Sequence, residues 1–268
     1  MRPILFYFFG LPVYAYGTFV ALAFIVAIIL AQREAVKEGF QPEVIVDIAL
    51  ALCLGGLVGA RLLFVLLELD DYLARPWELL DIRAGGLSFF GAAVTGFAAA
   101  WFYGKRKGLP CWRLADLCVP YAALGYAIAR IGCLLNGCCY GVATTVPWAM
   151  ACRAGDPTLR HPTQIYAGLG SLLLFVVLYR MRRHRHFPGF LFFLYMGLYA
   201  VMRGIVETFR ESQVLFAGVR TTHLASLGFA ALAAMEIWRR ERRWRREESE
   251  CEFGEEMDRG TGKSGAAS

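Results

Sequence analysis

The sequence predicts an all-α, polytopic membrane protein with seven transmembrane helices, the amino terminus outside and the carboxyl terminus in the cytoplasm. Three observations predict it. The 268 residues are 57% hydrophobic, with a mean hydropathy of +0.47, more apolar than a soluble domain of this length. Stretches approaching the roughly 20 apolar residues needed to cross a bilayer recur along the chain. Basic residues collect in every second connection, the pattern that marks cytoplasmic loops.

The first span runs from about Leu11 to Ala31, and no cleavage site of small residues closes it, so no cleaved signal peptide is expected. A charged loop with Arg33 and Lys37 leads to the second span, about Val44 to Leu67. Its Gly55-Gly56 and Gly59 suit close helix packing. The third span runs from about Gly86 to Tyr103 and the fourth from about Leu114 to Leu135, with Lys105, Arg106, Lys107 and Arg113 between them. A loop from Asn136 to Pro162 precedes the fifth span, Thr163 to Met181, which Arg180, Arg182, Arg183 and Arg185 close. The sixth span runs from about Gly189 to Phe209 and the seventh from about Thr221 to Trp238. The basic connections follow spans one, three, five and seven, and place those ends in the cytoplasm.

Two segments result: residues 1–246, a seven-helix membrane domain, and residues 247–268, an acidic, Gly/Ser-rich tail expected to be disordered and cytoplasmic. The formal charge of +6 sits mostly in loops and the Arg239–Arg246 run, where membrane topology and anionic lipid account for it without nucleic acid. Gly262-Lys263-Ser264 lacks the first glycine of a phosphate-binding loop. The eight cysteines are scattered rather than arranged as a compact disulfide framework. Cys133, Cys138, Cys139 and Cys152 fall near one membrane end, and an oxidising compartment would allow a disulfide from Cys152 to Cys138 or Cys139. The spacing lacks paired C-x-x-C units, which argues against zinc; no metal is expected.

Arg130 closes a long apolar run, inside the segment Ala129-Arg-Ile-Gly-Cys-Leu-Leu-Asn-Gly-Cys-Cys-Tyr-Gly141. An arginine at membrane depth is costly and marks a functional site by default. The topology brings other polar groups to the same outer half: Tyr14 and Tyr16 on span one, Arg61 on span two, Gly85-Gly86 before span three, and His161-Pro162 before span five. Arg203, Glu207 and Arg210 on span six are spaced i, i+4, i+7 and share one face. Taken singly, Arg203–Glu207 reads equally as a structural ion pair, the tyrosines as interfacial aromatics, and His161-Pro162 as a helix cap. Their common depth argues for a site. Several arginines and one carboxylate facing the outer leaflet suit a lipid with an anionic headgroup, since guanidinium forks bind phosphate bidentately.

The Arg130 segment resembles the signature of bacterial prolipoprotein diacylglyceryl transferases, Gly-Arg-x-Gly-Asn-x-x-Asn-x-Glu-x-x-Gly. Arg130, Gly132, Asn136 and Gly141 fit; Ala129, Cys133 and Cys138 replace its glycine, first asparagine and glutamate. Gly85-Gly-Leu-Ser-Phe-Phe-Gly91 resembles the family's Gly-Gly-x-Ser-Phe-His-Gly, with Phe90 where the histidine stands. His161-Pro-Thr-Gln-Ile-Tyr166 and the Arg203-x-x-x-Glu207-x-x-Arg210 segment are similar to two further motifs of the family, in the family's order.

The resemblance implies a multi-pass enzyme of the bacterial cytoplasmic (inner) membrane. It implies transfer of the diacylglyceryl group of phosphatidylglycerol to the lipobox cysteine of a prelipoprotein, with membrane lipids as surroundings and no cofactor. The roles it implies are phosphate binding and catalysis for Arg130 and Arg203, with Glu207 orienting one of them. Arg61 and Arg210 would support the phosphate. Tyr16, Gly85, Gly86, Asn136 and Gly141 would position headgroup and thiol. The histidine commonly assigned as base is Phe90 here. His161, Cys133 or Cys138 could take its place, or no base is needed because arginines acidify the acceptor thiol. The altered positions keep two alternatives open: a paralogue with a different acceptor, and a non-enzymatic protein that binds or scrambles anionic lipid.

Overall fold

The computed structural model describes residues 3–69, 86, 88–153, 156–184, 186–210, 214–216 and 219–262. The chain is mostly helical. Helices α1 (Ala15–Lys37), α2 (Glu43–Leu67), α3 (Phe89–Arg106), α4 (Cys111–Asn136), α5 (Thr163–Met181), α6 (Phe190–Glu207) and α7 (Thr221–Gly262) follow the seven predicted spans in order. Among the described residues α1, α2, α4, α5 and α6 are long and apolar enough to cross a membrane. The protein is thus a multi-pass membrane protein. Glycine, alanine, threonine and tyrosine dilute α3, and Lys105 and Arg106 close it. The last helix does not stop at Trp238. It runs on through residues 247–262, where the composition led us to expect a disordered tail. Pairs such as Arg245 on Glu241, at 2.8 Å and i, i+4, support its exposed turns.

Short antiparallel hairpins were not foreseen. Strands β1 (Ile4–Phe8) and β2 (Leu11–Tyr14) pair in register from Ile4 with Tyr14 to Phe8 with Leu11. Phe9 and Gly10 turn the corner with φ of 48° and 79°, the left-handed pair that matches the twist of a two-residue hairpin. Leu11 therefore belongs to a strand, and α1 begins at Ala15. Strands β3 (Met150–Arg153) and β4 (Asp156–Arg160) form a second hairpin in the loop between α4 and α5. Strands β5 (Val214–Phe216) and β6 (Val219–Arg220) form a third.

The chain divides into two compact units, residues 24–121 and residues 1–23 with 122–268. In the first, α2 packs on α3 through small residues. A Cβ on Gly59 would lie 1.7 Å from the Thr95 hydroxyl, and one on Gly91 2.2 Å from the Gly59 carbonyl. Contact this close is how membrane helices gain packing without a hydrophobic drive between them. The Thr95 hydroxyl lies 2.7 Å from the carbonyls of both Gly55 and Gly91, which ties the pair further. Ser88 caps α3 by accepting from Gly91 N–H at 3.5 Å.

In the second unit α5 packs on α6, and α6 on α7. The Ser171 hydroxyl, fully buried, donates to the Ala123 carbonyl of α4 at 2.8 Å. Gly132 of α4 meets α1 closely: a Cβ there would lie 3.2 Å from Tyr16 Cα.

Candidate active site

The geometry starts at the start of α5. Thr163 and Gln164 are buried polar residues, Gln164 only 1% exposed. Both side chains point back at the chain leaving α4. The Thr163 hydroxyl donates to the Cys139 carbonyl and the Gln164 amide to the Cys138 carbonyl, each at 2.6 Å. Cys138 N–H donates to the Cys133 carbonyl at 3.2 Å. The chain reverses there through Gly137 and Cys139, with φ of 69° and 64°; for a cysteine that conformation is uncommon. Gly141 N–H then donates to the His161 carbonyl and Val142 N–H to the Phe209 carbonyl, both at 2.9 Å. A Cβ on Gly141 would lie 2.2 Å from that Phe209 oxygen, so only glycine fits between the segments.

This packing makes a cleft whose wall includes Arg130, Arg203 and Arg210, together with Tyr126, Cys139 and Met202. Arg130 lies over the Tyr126 ring, 4.4 Å from its centroid, and hydrogen-bonds the Tyr126 hydroxyl. Tyr126 in turn meets Tyr199 edge-on at 5.5 Å. Arg130 Nη1 also lies 3.8 Å from Cys133 Sγ. Arg203 forms an ion pair with Glu207 one turn on. Glu207 is 5% exposed and accepts from the Thr222 hydroxyl of α7 at 3.4 Å. Three guanidiniums at one cleft, with a single buried carboxylate beside one of them, leave net positive charge suited to an anion.

Of the residues singled out in the sequence, the cleft unites Arg130, Arg203 and Arg210, with Glu207 paired to Arg203. Asn136 ends α4, two residues before Cys138, whose Sγ donates to the Cys133 carbonyl at 3.7 Å. Tyr16 stands near the start of α1 with its backbone against Gly132. His161 is held by Tyr166: Trp148 Nε1–H donates to the Tyr166 hydroxyl at 2.7 Å, and the same hydroxyl shares a hydrogen bond with His161 Nδ1 at 3.1 Å. Arg61 and Gly86 belong to the other unit, where buried Arg61 donates from Nη1 to the Gly86 carbonyl at 3.1 Å. Gly85 lies outside the described residues. Phe90, in the second position of α3, is 74% exposed.

Parts of the cleft wall were missed, Tyr126 and Cys139 chief among them. Tyr126 stands four residues before Arg130 on the same helix, a spacing that could have announced it. Cys139 was overlooked among its neighbours. The sulfurs of Cys133, Cys138 and Cys139 all lie within 4.8 Å of one another, a grouping that the spacing argument against a metal site did not anticipate. The Cys139 thiol is pulled down to about 5, chiefly by a hydrogen bond from Cys133; burial opposes this, while Cys138 and the Arg130 and Arg210 charges add to it. Burial pushes the Cys138 thiol up. The disulfide from Cys152 to Cys138 or Cys139 is not made: Cys138, Cys139 and Cys152 are all free, and Cys152 Sγ donates to the Met150 carbonyl at 3.4 Å.

Residues 3–239 match the prolipoprotein diacylglyceryl transferase family. The chain is 35% identical over 214 residues to the phosphatidylglycerol–prolipoprotein diacylglyceryl transferase of Clostridium tetani, covering 78% of this chain and 86% of that one. It is 32% identical to the enzyme of the same name from Finegoldia magna, covering 85% and 91%. Similarity to the Gloeobacter violaceus enzyme of that name is also 32%, over 90% and 93%. A match over nearly the whole chain, running through the arginine cleft and the loop that frames it, shows that the chain belongs to the prolipoprotein diacylglyceryl transferase family.

Proposed function

We propose that the protein transfers the diacylglyceryl group of phosphatidylglycerol to the lipobox cysteine thiol of prelipoproteins. The observation that carries this reading is the cleft where Arg130, Arg203 and Arg210 converge, in a chain of this family. The acceptor sulfur attacks the diacylglyceryl carbon that bears the phosphate. A C–S bond forms, the C–O bond breaks, glycerol phosphate leaves, and the thiol proton passes to solvent. Negative charge grows on the departing phosphate oxygen, and preorganised guanidiniums at that point lower the barrier. Arg130 and Arg203 hold the phosphate and Arg210 supports it. Glu207 fixes Arg203, and Tyr126 fixes Arg130. Arg61, Tyr16, Gly85, Gly86, Asn136 and Gly141 position headgroup and acceptor.

The seven helices all span the bacterial cytoplasmic membrane in this reading, with the amino terminus outside. Lys37, Lys105–Lys107 and Arg182–Arg183 stand at the ends of α1, α3 and α5, and Arg239–Arg246 follow the apolar first half of α7; these belong in the cytoplasm under the positive-inside rule. The cleft then opens on the outer side, where a prelipoprotein emerges. Purified protein incubated with labelled phosphatidylglycerol and a lipobox peptide tests the activity. A thioether-linked diacylglyceryl peptide and free glycerol phosphate are expected. Lipid binding without any transfer overturns the reading.

A further inference from the structure

Three sulfurs stand together where the chain leaves α4. Cys133 is buried on the last turns of that helix, and Cys138 and Cys139 follow the reversal at Gly137. Their sulfurs lie within 4.8 Å of one another. A metal held by thiolates at about 2.3 Å sets its sulfurs roughly 4 Å apart, so the cluster needs to close by less than an ångström. The backbone that aims them is fixed from outside the cluster, by Gln164 on the Cys138 carbonyl and Thr163 on the Cys139 carbonyl. The left-handed turn at Cys139 is therefore built and held rather than an accident of a loose loop.

We propose that Cys133, Cys138 and Cys139 form a binding site for one soft, thiophilic divalent cation, and that its occupation shuts the arginine cleft. Sulfur-only donors select soft ions of the zinc and cadmium class over magnesium or calcium. Binding releases the protons of Cys133 and Cys138 to solvent and joins both sulfurs to the Cys139 thiolate, so that a new thiolate stands beside Arg130 and three thiolates around a divalent ion leave one net negative charge. Arg130 is placed to offset it, with Nη1 3.8 Å from Cys133 Sγ. Cys139 belongs to the cleft wall beside Arg130, Arg203 and Arg210. A loaded cluster therefore engages the charges that the phosphate of the lipid needs. The inhibitory half of this inference rests on the transfer reaction proposed above; the metal site itself does not.

The test uses the reduced full-length protein in bilayer discs of zwitterionic lipid, titrated with cadmium chloride. A thiolate-to-cadmium absorption band should saturate at one ion per chain. Mass-mapped alkylation should then show Cys133, Cys138 and Cys139 protected relative to the metal-free protein, while Cys111 at the loop end of α4 reacts as before. Cys133→Ala and Cys138→Ala should each weaken binding by more than the roughly 10–100-fold that loss of an outer hydrogen-bond partner of a ligand brings. Transfer by the wild type should fall with the same half-saturation as the band grows. Absence of the band, an unchanged titration in Cys133→Ala/Cys138→Ala, or full transfer at saturating cadmium overturns the proposal. A protein that binds cadmium in this way yet transfers nothing even without it would sink the transfer reaction and leave the metal site standing.

Discussion

Arg203 and Glu207 form an ion pair one turn apart on α6 in which the carboxylate is the more buried partner, 7% exposed at the side chain against 30% for the arginine. The acid is the fixed element and the guanidinium is the part left facing the cleft. A buried carboxylate that lost this partner would be strongly destabilising, so the pair cannot be read as a surface contact. Glu207→Gln keeps the shape and removes the charge that holds Arg203. Hydrogen bonds to charged groups contribute about 1.5–3 kcal/mol, so transfer should fall roughly 10- to 150-fold with membrane insertion intact. Wild-type kcat/KM in Glu207→Gln would show that the pair serves packing alone.

Arg130 makes the complementary case on α4. Arg130→Ala should abolish transfer, as should Arg203→Ala, while lysine at either position rescues poorly because it lacks the planar fork. Tyr126→Phe retains the ring beneath Arg130 and removes only the hydroxyl that orients it. Transfer should drop by about tenfold, the low end of what one charge-assisted hydrogen bond contributes. Comparison of kcat/KM in these variants with protein recovered from membranes checks the point; near-normal turnover in both alanine variants would make the arginines structural.

Gln164 donates to the Cys138 carbonyl across 26 residues of sequence from a fully buried position. In Gln164→Ala that carbonyl loses its partner, a cost of about 1–3 kcal/mol. A lower melting temperature in detergent and a faster proteolytic cut between Asn136 and Thr163 are expected. An unchanged melting temperature would mean that the loop is held by other contacts.

These examples show which parts of the molecule the sequence discloses. Helix α5 runs from Thr163 to Met181 as read from hydropathy, because Pro162 starts it and an arginine cluster ends the apolar run. Small residues on α2 announce the contact with α3, since only Gly55, Gly56 and Gly59 admit a neighbour so close. Arg203 and Glu207 are legible from helical spacing, but α6 ends at Glu207 and Arg210 reaches the cleft from the turn that follows rather than from the helical face expected of it. The thiol cluster is not, because its geometry depends on backbone angles at Gly137 and Cys139 that are set by side chains on another helix. The hairpin before α1 is hidden for a related reason: Phe6, Phe8 and Leu11 look like the start of an apolar span until the turn at Phe9-Gly10 is seen.

Cys139 should be the most acid-reactive thiol of the protein. Its lowered value of about 5 keeps it largely thiolate above that pH, and only the thiolate is alkylated. The rate of iodoacetamide modification at Cys139 should thus rise through pH 5 and level off before neutrality. Cys138 and Cys152, both raised by burial, should react appreciably only in alkaline solution. Quantified peptide mass spectra across pH 4–10 check the order; equal rates for the three at pH 6 would refute it.

The last expectation concerns the proton of the acceptor thiol. Phe90 cannot accept one, and among the described residues His161 stands outside the arginine cleft's lining, its Nδ1 on the Tyr166 hydroxyl at 3.1 Å and its ring packed on Phe209. The cleft itself offers another route. It already acidifies one of its own thiols, Cys139, chiefly through a hydrogen bond from Cys133 and further through Arg130 and Arg210. A second thiol brought against the same guanidiniums would be acidified in the same sense, and water can carry its proton away. His161→Gln should therefore stay within about tenfold of wild type, against the roughly 10²–10⁴-fold loss expected when a general base is removed. The rate in both proteins should climb with pH and flatten below about 8.5, the ordinary value of a free cysteine, because the thiolate forms earlier in the cleft than in water. A collapse of His161→Gln with lipid binding preserved would make that imidazole the proton acceptor.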